Sequence, residues 1–343
     1  MQINKVLICL MLLMPPALMN RAAALEPIVD ANSYARIIRE VSSLPEGGIF
    51  NLTFKSKIDS SFQPLLIKVP KEYTKETKWP LLVVLHGLGD GPIIVPQIDS
   101  MVQFGPFGRG DLWYRGKGQQ DVFECIELAK KIFNIDDERI YLCGFSMGAA
   151  GVFELGLKYP HLWAACVPVC GWLSDMNLVE NGRNLPFWIN AGSEDKLVPA
   201  KDSRKSYDEA VRQGINRWRY TEHQGMGHSF RIDWDKIEKW LLSQKKIKSP
   251  EHVTFSCHSL GRAYWIEITK KHKEYKVAKI EAKVEGQKTE VRTSNVADYI
   301  LYLKDAPLDS SRRISIIENS REVFAGKVPE EGFFVRKSVN KSY

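Results

Sequence analysis

Arg139-Ile-Tyr-Leu-Cys-Gly144-Phe-Ser146-Met-Gly148-Ala-Ala-Gly151 decides how this chain folds. An apolar run ends in Gly-x-Ser-x-Gly, and small residues then open a helix. The pattern predicts a strand, a sharp turn carrying Ser146, and a helix. Such a turn forces the serine toward unfavourable backbone angles, so its neighbours must be small, which accounts for Gly144 and Gly148. In return the hydroxyl stands clear of the sheet, with a helix N-terminus behind it. A glycine-rich strand-to-helix turn with no chemistry is the plain alternative. The rest of the chain must decide between them.

A serine hydroxyl is a weak nucleophile and needs a base, itself oriented by a carboxylate. Pro186-Phe-Trp-Ile-Asn-Ala191 reads as a buried strand, and Gly192-Ser-Glu-Asp195-Lys-Leu-Val198-Pro199 leaves its end. Asp195 therefore falls at the carboxyl edge of a sheet, where functional loops lie. A further strand over residues 217–221 precedes Gly225-Met-Gly-His228-Ser-Phe230, where two glycines leave the His228 ring room to approach the serine. Asp175 and Asp233 are weaker rivals for the acid because neither directly follows a clean apolar strand. Glu194 points elsewhere if Asp195 faces the histidine. Asp202 reads as a helix cap, and His161, His223, His252, His258 and His272 as surface or satisfied residues.

The remaining need is an anion site. Trp79-Pro-Leu-Leu-Val-Val-Leu85, a continuous apolar run suited to a strand buried on both faces, runs into His86-Gly-Leu88-Gly-Asp90. The backbone N–H groups of Leu88 and Met147 are the expected oxyanion donors. His86 is expected to brace the loop. The segment from Met101 to Gly118 reads as a loop over the cleft mouth, where Trp113, Tyr114, Phe104 and Phe107 could stack on substrate. Trp172, just after Cys170-Gly171, is another pocket candidate. Loop packing is the alternative for each of these rings.

With these residues in place, the chain resembles serine hydrolases of the α/β-hydrolase superfamily over roughly residues 50–245. Gly108-Arg-Gly-Asp-Leu-Trp-Tyr-Arg-Gly-Lys-Gly-Gln-Gln-Asp-Val122 and Asp136-Asp-Glu-Arg-Ile-Tyr141 are similar to exported prolyl-oligopeptidase-like (S9-type) esterases and peptidases. His86-Gly-Leu-Gly-Asp90 and Gly144-Phe-Ser-Met-Gly148 resemble the phospholipase/carboxylesterase and feruloyl-esterase branches. Ala149-Ala150 stands where many relatives have Gly-Gly or Gly-Ala. The resemblance implies Ser146 as nucleophile, Asp195 as acid and His228 as base, with no cofactor. A small C-terminal β domain without propeller-like repeats, and short insertions that leave an open cleft, favour an ester substrate, a peptide being the nearest rival. A binding protein on a hydrolase fold is the reading from a different class.

Alternating strands and helices from Trp79 onward imply a mainly parallel, doubly wound sheet. Before it, 28–43 reads as a short helix, and 49–55 with 63–69 as an antiparallel strand pair. Residues 119–133, 146–158, 201–213 and 234–244 read as helices. Beyond Lys245-Lys-Ile-Lys-Ser-Pro250 helical periodicity stops. Short β segments at 252–258, 262–271, 276–284, 289–292, 299–304, 313–318 and 322–327 suggest a small antiparallel sandwich. The chain thus divides into a leader (1–24), a catalytic domain (25–248) and a C-terminal β domain (249–343). Tyr264, Trp265, Tyr275, Tyr299 and Tyr302 of the last could form a carbohydrate platform or simply pack.

Met1 to Ala24 has one early lysine, the apolar run from Val6 to Met14 and Ala22-Ala-Ala24, the form of a cleaved export signal. The run is short for a membrane span. A secreted or periplasmic protein without stable membrane insertion is expected. The net charge is +7, and losing Lys5 and Arg21 with the leader leaves +5. The excess is scattered, with no basic stripe interleaved with aromatics, so nucleic acid is not an expected partner. Cys125, Cys143, Cys166, Cys170 and Cys257 show no zinc-site spacing, and no metal is expected. Buried thiols are the reading for most of them, with a Cys166–Cys170 pairing left open.

Overall fold

The computed structural model of the chain describes residues 23–24, 48–95 and 97–337. The helix expected over 28–43, and all of the leader except residues 23 and 24, lie outside them. The larger sheet holds β1 (Ala23–Ala24), β2 (Gly48–Lys55), β3 (Phe62–Val69), β4 (Trp79–Leu85), β5 (Val102–Pro106), β6 (Ile135–Phe145), β7 (Ala165–Val169), β8 (Phe187–Gly192) and β9 (Trp218–His223). Its order is β1-β2-β3-β5-β4-β6-β7-β8-β9. β2, β3 and β5 pair antiparallel, and the strands from β5 to β9 pair parallel throughout. The parallel part needs cover on both faces. Helices α1 (Lys117–Ile132), α2 (Met147–Lys158) and α3 (Ala200–Arg212) join the core on one face, with Leu81, Val83, Leu85, Val122, Val152 and Phe187. Helix α4 (Trp234–Leu242) covers the other, where Leu82, Val84, Tyr141 and Trp188 meet Ile237 and Trp240. Alternate residues of β4 thus serve opposite layers, as strand periodicity requires.

One strand contradicts the reading of residues 101–118 as a loop. Val102-Gln-Phe-Gly-Pro106 is β5, a central strand buried along its whole length. Its apolar signal is interrupted by Gln103 and by two residues of low strand propensity. The amide of Gln103 is satisfied in the interior, accepting from Val95 N–H and donating to the Val95 and Ile98 carbonyls. Gly105 runs so close beneath Ile93 that a Cβ there would lie 2.0 Å from the Ile93 oxygen. Phe104 is fully buried and packs edge-on against Phe133. It is therefore a core residue and cannot stack on substrate.

The remaining strands are β10 (His252–Cys257), β11 (Gly261–Ala263), β12 (Ile266–Lys271), β13 (Ala278–Glu285), β14 (Lys288–Ser294), β15 (Val296–Tyr302), β16 (Arg313–Glu318), β17 (Arg321–Lys327) and β18 (Phe333–Arg336). They form a five-stranded sheet, β10-β13-β14-β16-β17, and a four-stranded sheet, β11-β12-β15-β18. A single core containing Val253, Phe255, Trp265, Ile268, Ile280 and Leu301 lies between them. The sheets are not wholly antiparallel as expected, because β14 and β16 pair parallel. Tyr264, Trp265 and Tyr299 are buried and so cannot form a platform. Tyr302 is half-buried beneath the Arg262 guanidinium, 3.7 Å from its ring centre, and only Tyr275 stands fully out.

The β sheets are bound to the larger unit mainly through a 3-10 segment, Met176–Asn184, which lies against β10. Asn181, buried, donates to the Leu157 and Ser256 carbonyls and accepts from the Ser256 N–H at 2.7 Å. Asn184 donates to the His252 carbonyl, and the Trp265 indole to the Pro250 carbonyl. Glu180 meets Lys279 and Ser256. Among the described residues no helix is long and apolar enough to cross a membrane.

Candidate active site

Ser146 sits between β6 and α2 with φ 53° and ψ −116°, the strained conformation its motif demands. The two glycines are there for space. A Cβ on Gly144 would lie 2.5 Å from the Gly148 oxygen, and one on Gly148 only 2.3 Å from the Leu85 oxygen. The elbow is pressed against the end of β4, which brings the 86–90 loop over the serine. A Cβ on Gly87 would stand 3.7 Å from that of Ser146.

Asp195 follows β8 and its side chain is completely buried. One oxygen, Oδ1, accepts from the Leu197 and Val198 N–H groups at 2.9 and 2.8 Å. The other, Oδ2, is 2.7 Å from His228 Nδ1. Nε2 of the same ring lies 2.9 Å from Ser146 Oγ. Three side chains separated by as many as 82 positions are joined into one hydrogen-bonded chain at the carboxyl edge of the sheet. Glu194, next to the acid, is exposed, and its N–H donates to the Met226 carbonyl. Of the rival carboxylates, Asp233 caps α4 and Asp175 accepts from the Asn177 N–H and meets His258.

The glycine flanking His228 is not needed for room, since nothing would lie within 4 Å of a Cβ on Gly227. The close approach occurs instead at Gly192, where a Cβ would be 2.2 Å from the Gly227 oxygen. The end of β8 and the histidine loop thus touch backbone to backbone.

The oxyanion candidates are placed differently from each other. Met147 is buried at the first turn of α2, while the side chain of Leu88 is exposed. The 86–90 loop is rigidly held. His86, fully buried, has Nδ1 at 2.7 Å from the Gly87 carbonyl and Nε2 at 2.8 Å from the Phe107 carbonyl. Gly89 N–H donates to Asp111 at 2.8 Å.

Tyr114 is not a pocket residue. It is fully buried, its hydroxyl donates to the His86 carbonyl at 3.1 Å, and its ring fills the space between Gly108 and Gly151. Leucine-like packing of a loop tyrosine could not be read from sequence, because the two glycines that receive it lie far apart in the chain. Phe107 stacks on His86. Trp113 and Trp172 remain together at the surface, half-buried, in an edge-on pair with centroids 5.6 Å apart. Asp121, buried in α1, ties down the same loop by accepting from Gly108 N–H and Arg109. Burial pushes its carboxyl up to about 6, against the pull of Arg109.

Sequence reasoning missed Cys170, read only as one of several thiols. All five described cysteines are free and buried. The sulfur of Cys170, together with Asp195 and His228, forms a cluster whose donor atoms lie within 4.8 Å of one another. The signal, a cysteine two residues before Trp172 at the end of β7, became meaningful only once β7 and β8 were known to be neighbours.

A family model for phospholipases and carboxylesterases matches residues 121–239, the stretch that holds Ser146, Asp195 and His228. The chain is 25% identical over 192 residues to acyl-protein thioesterase 1 homolog 2 of Dictyostelium discoideum, covering 48% of this chain and 86% of that protein. It is 24% identical over 121 residues to a probable carboxylesterase, SOBER1-like, of Arabidopsis thaliana, spanning 46% of that protein. The solved structure of a thermostable esterase superposes with a TM-score of 0.50 at 24% identity, over 57% of this chain and 63% of that one, which shows the fold. The chain thus has the fold of these esterases and, over residues 121–239, is similar to the phospholipase/carboxylesterase family.

Proposed function

We propose that the protein hydrolyses carboxylic esters outside the cytoplasm, through Ser146 as nucleophile, His228 as general base and Asp195 as the acid that orients it. The observation that carries this is the unbroken run Asp195 Oδ2–His228 Nδ1–His228 Nε2–Ser146 Oγ, with contacts of 2.7 and 2.9 Å. Nε2 takes the hydroxyl proton as Oγ attacks the ester carbonyl. Buried Asp195 fixes the tautomer and offsets the imidazolium charge. Leu88 and Met147 N–H groups receive the developing oxyanion, each donor contributing about 3–4 kcal/mol to the chemical step. His228 then returns the proton to the leaving alcohol. The same ring activates water to release the acid from the acyl-serine.

The Trp113–Trp172 pair supports an aromatic or sugar-bearing ester, such as an ester side group on a polysaccharide. The leader-like residues 1–24 support export, to be checked by sequencing the N-terminus of the mature protein. The test of function is turnover of p-nitrophenyl acetate and butyrate, methyl ferulate and an S-acyl thioester, beside Ala- and Pro-nitroanilides. Ser146→Ala should abolish both turnover and fluorophosphonate labelling. Preferential cleavage of the anilides would turn the reading to a peptidase, and persistent labelling of the variant would refute it.

A further inference from the structure

Cys170 holds an unusual backbone and an unusual neighbour at once. Its φ is +53°, in the region that costs a side-chain-bearing residue and suits glycine, yet glycine stands one position later. That neighbour is required elsewhere, since a Cβ on Gly171 would lie 2.3 Å from the Ala149 side chain in α2. The strained cysteine is fixed by its N–H, which donates to the Asn190 carbonyl on β8 at 2.9 Å. Its side chain is thereby turned inward, almost without exposure. There its sulfur lies within 4.8 Å of an Asp195 carboxylate oxygen and a His228 ring nitrogen, which places the thiol beside the acid.

We propose that Cys170 is a positioning residue for the Asp195–His228 pair, donating the S–H hydrogen bond that completes the acceptor shell of the acid. This inference rests on the proposed roles of Ser146, Asp195 and His228. Asp195 has two backbone donors on Oδ1, and the imidazole on Oδ2. A buried carboxylate stays charged only if its lone pairs are met. The thiol, held beside the carboxylate, is placed to meet one more of them. A thiol is a weak donor. It therefore fixes the carboxylate's orientation while drawing little charge away from the imidazole. Burial and the adjacent Asp195 charge push the thiol up to about 12, so at neutral pH it keeps its proton and remains a donor. Retaining a cysteine at positive φ, where glycine would relax the backbone, is accounted for by that bond.

The experiment compares wild type with Cys170→Ala, Cys170→Ser and Cys170→Gly. Fluorophosphonate labelling of Ser146 and the pH profile of kcat/KM on p-nitrophenyl acetate are measured for each. Cys170→Ala should lower kcat about tenfold with KM unchanged. It should also move the acid limb of the profile to higher pH, because an under-solvated carboxylate holds the imidazolium more firmly. Cys170→Ser, which restores a donor, should recover kcat to within about threefold and return the limb. Cys170→Gly should melt higher than Cys170→Ala yet show the same kinetic loss. An unchanged profile in the alanine variant, or a serine variant as impaired as alanine, overturns the proposal while leaving the triad standing. Failure of wild type to label at Ser146 overturns the triad and this inference with it.

Discussion

Replacing Gly148 by alanine tests whether the elbow works by close approach. The added Cβ would lie 2.3 Å from the Leu85 oxygen and 2.7 Å from the His86 oxygen, both backbone atoms that cannot swing aside. Restoring ordinary contact requires the start of α2 to retreat by roughly 1 Å from the end of β4. Alanine is the better helix former by about 1 kcal/mol, and overpacking costs about 1–3 kcal/mol. The net loss of stability should therefore be small, a few degrees in Tm. Catalysis is less forgiving. Ser146 and Met147 travel with the helix while Leu88 stays with β4, so the serine and the Leu88 N–H separate by that same 1 Å, a displacement that can cost about 100-fold. We expect kcat/KM on p-nitrophenyl acetate to fall by about two orders of magnitude, with slower fluorophosphonate labelling and a preserved circular dichroism spectrum. Gly91→Ala is the control: it adds the same methyl group beyond the same loop, where nothing lies within 4 Å. If Gly148→Ala stays within about threefold of wild type at unchanged Tm, the steric account of the elbow is wrong.

Tyr114→Phe removes the buried donor to the His86 carbonyl and should cost about 1–3 kcal/mol in urea unfolding, with a several-fold loss of kcat as the 86–90 loop loosens. Asp121 titrates near 6 in the folded chain, above its ordinary 3.8, so the native state binds a proton that the unfolded chain has released. Its contribution is then fullest below about pH 4 and is lost as the pH rises through 6, amounting to roughly 2–3 kcal/mol. Asp121→Asn should flatten that part of the stability-versus-pH curve measured by chemical denaturation. Asn181→Leu leaves the Ser256 N–H and two carbonyls without their partner and should cost about 3 kcal/mol. It should also raise protease sensitivity between the catalytic unit and the β sheets.

The fold of the larger unit, and the residues brought together at its candidate site, were legible because their signals are local. A strand buried on both faces reads as an unbroken apolar run, as in β4, and the elbow's steric needs appear directly as Gly144 and Gly148. Asp195 and His228 were legible from the loops that follow two strands. What escaped depended on contacts between distant segments. β5 hid because its middle carries Gln103, satisfied only by the chain around Val95 and Ile98. Tyr114 looked like a cleft aromatic because Gly108 and Gly151 frame its ring only after α2 has packed. In the β sheets, β18 was missed because it is a short edge strand with alternating half-exposure. The parallel β14–β16 pair arises from a long connection that no periodicity announces.

Strain marks the same edge of the sheet. Ten described non-glycine residues have positive φ, and five of them, Ser60, Tyr264, Asn295, Asn319 and Ser320, lie in connections between neighbouring strands. The other five, Arg109, Trp113, Tyr114, Ser146 and Cys170, belong to three loops at the candidate site. At roughly 1–2 kcal/mol each, those five amount to about 5–10 kcal/mol, comparable to the net stability of a typical domain. Such a sum can be held only by a frame that gives no easier arrangement, and here the frame is visible. Tyr114 is wedged between two glycines, Arg109 is clamped by Asp59 and Asp121, Ser146 N–H donates to the Val169 carbonyl, and Cys170 N–H to that of Asn190. Four of the five are therefore tied to different elements of the frame: Tyr114 to α2, Arg109 to α1, Ser146 to β7 and Cys170 to β8. The hydroxyl, imidazole and carboxylate keep their spacing because the core beneath them holds these loops in place, and local preference in the loops would pull them apart.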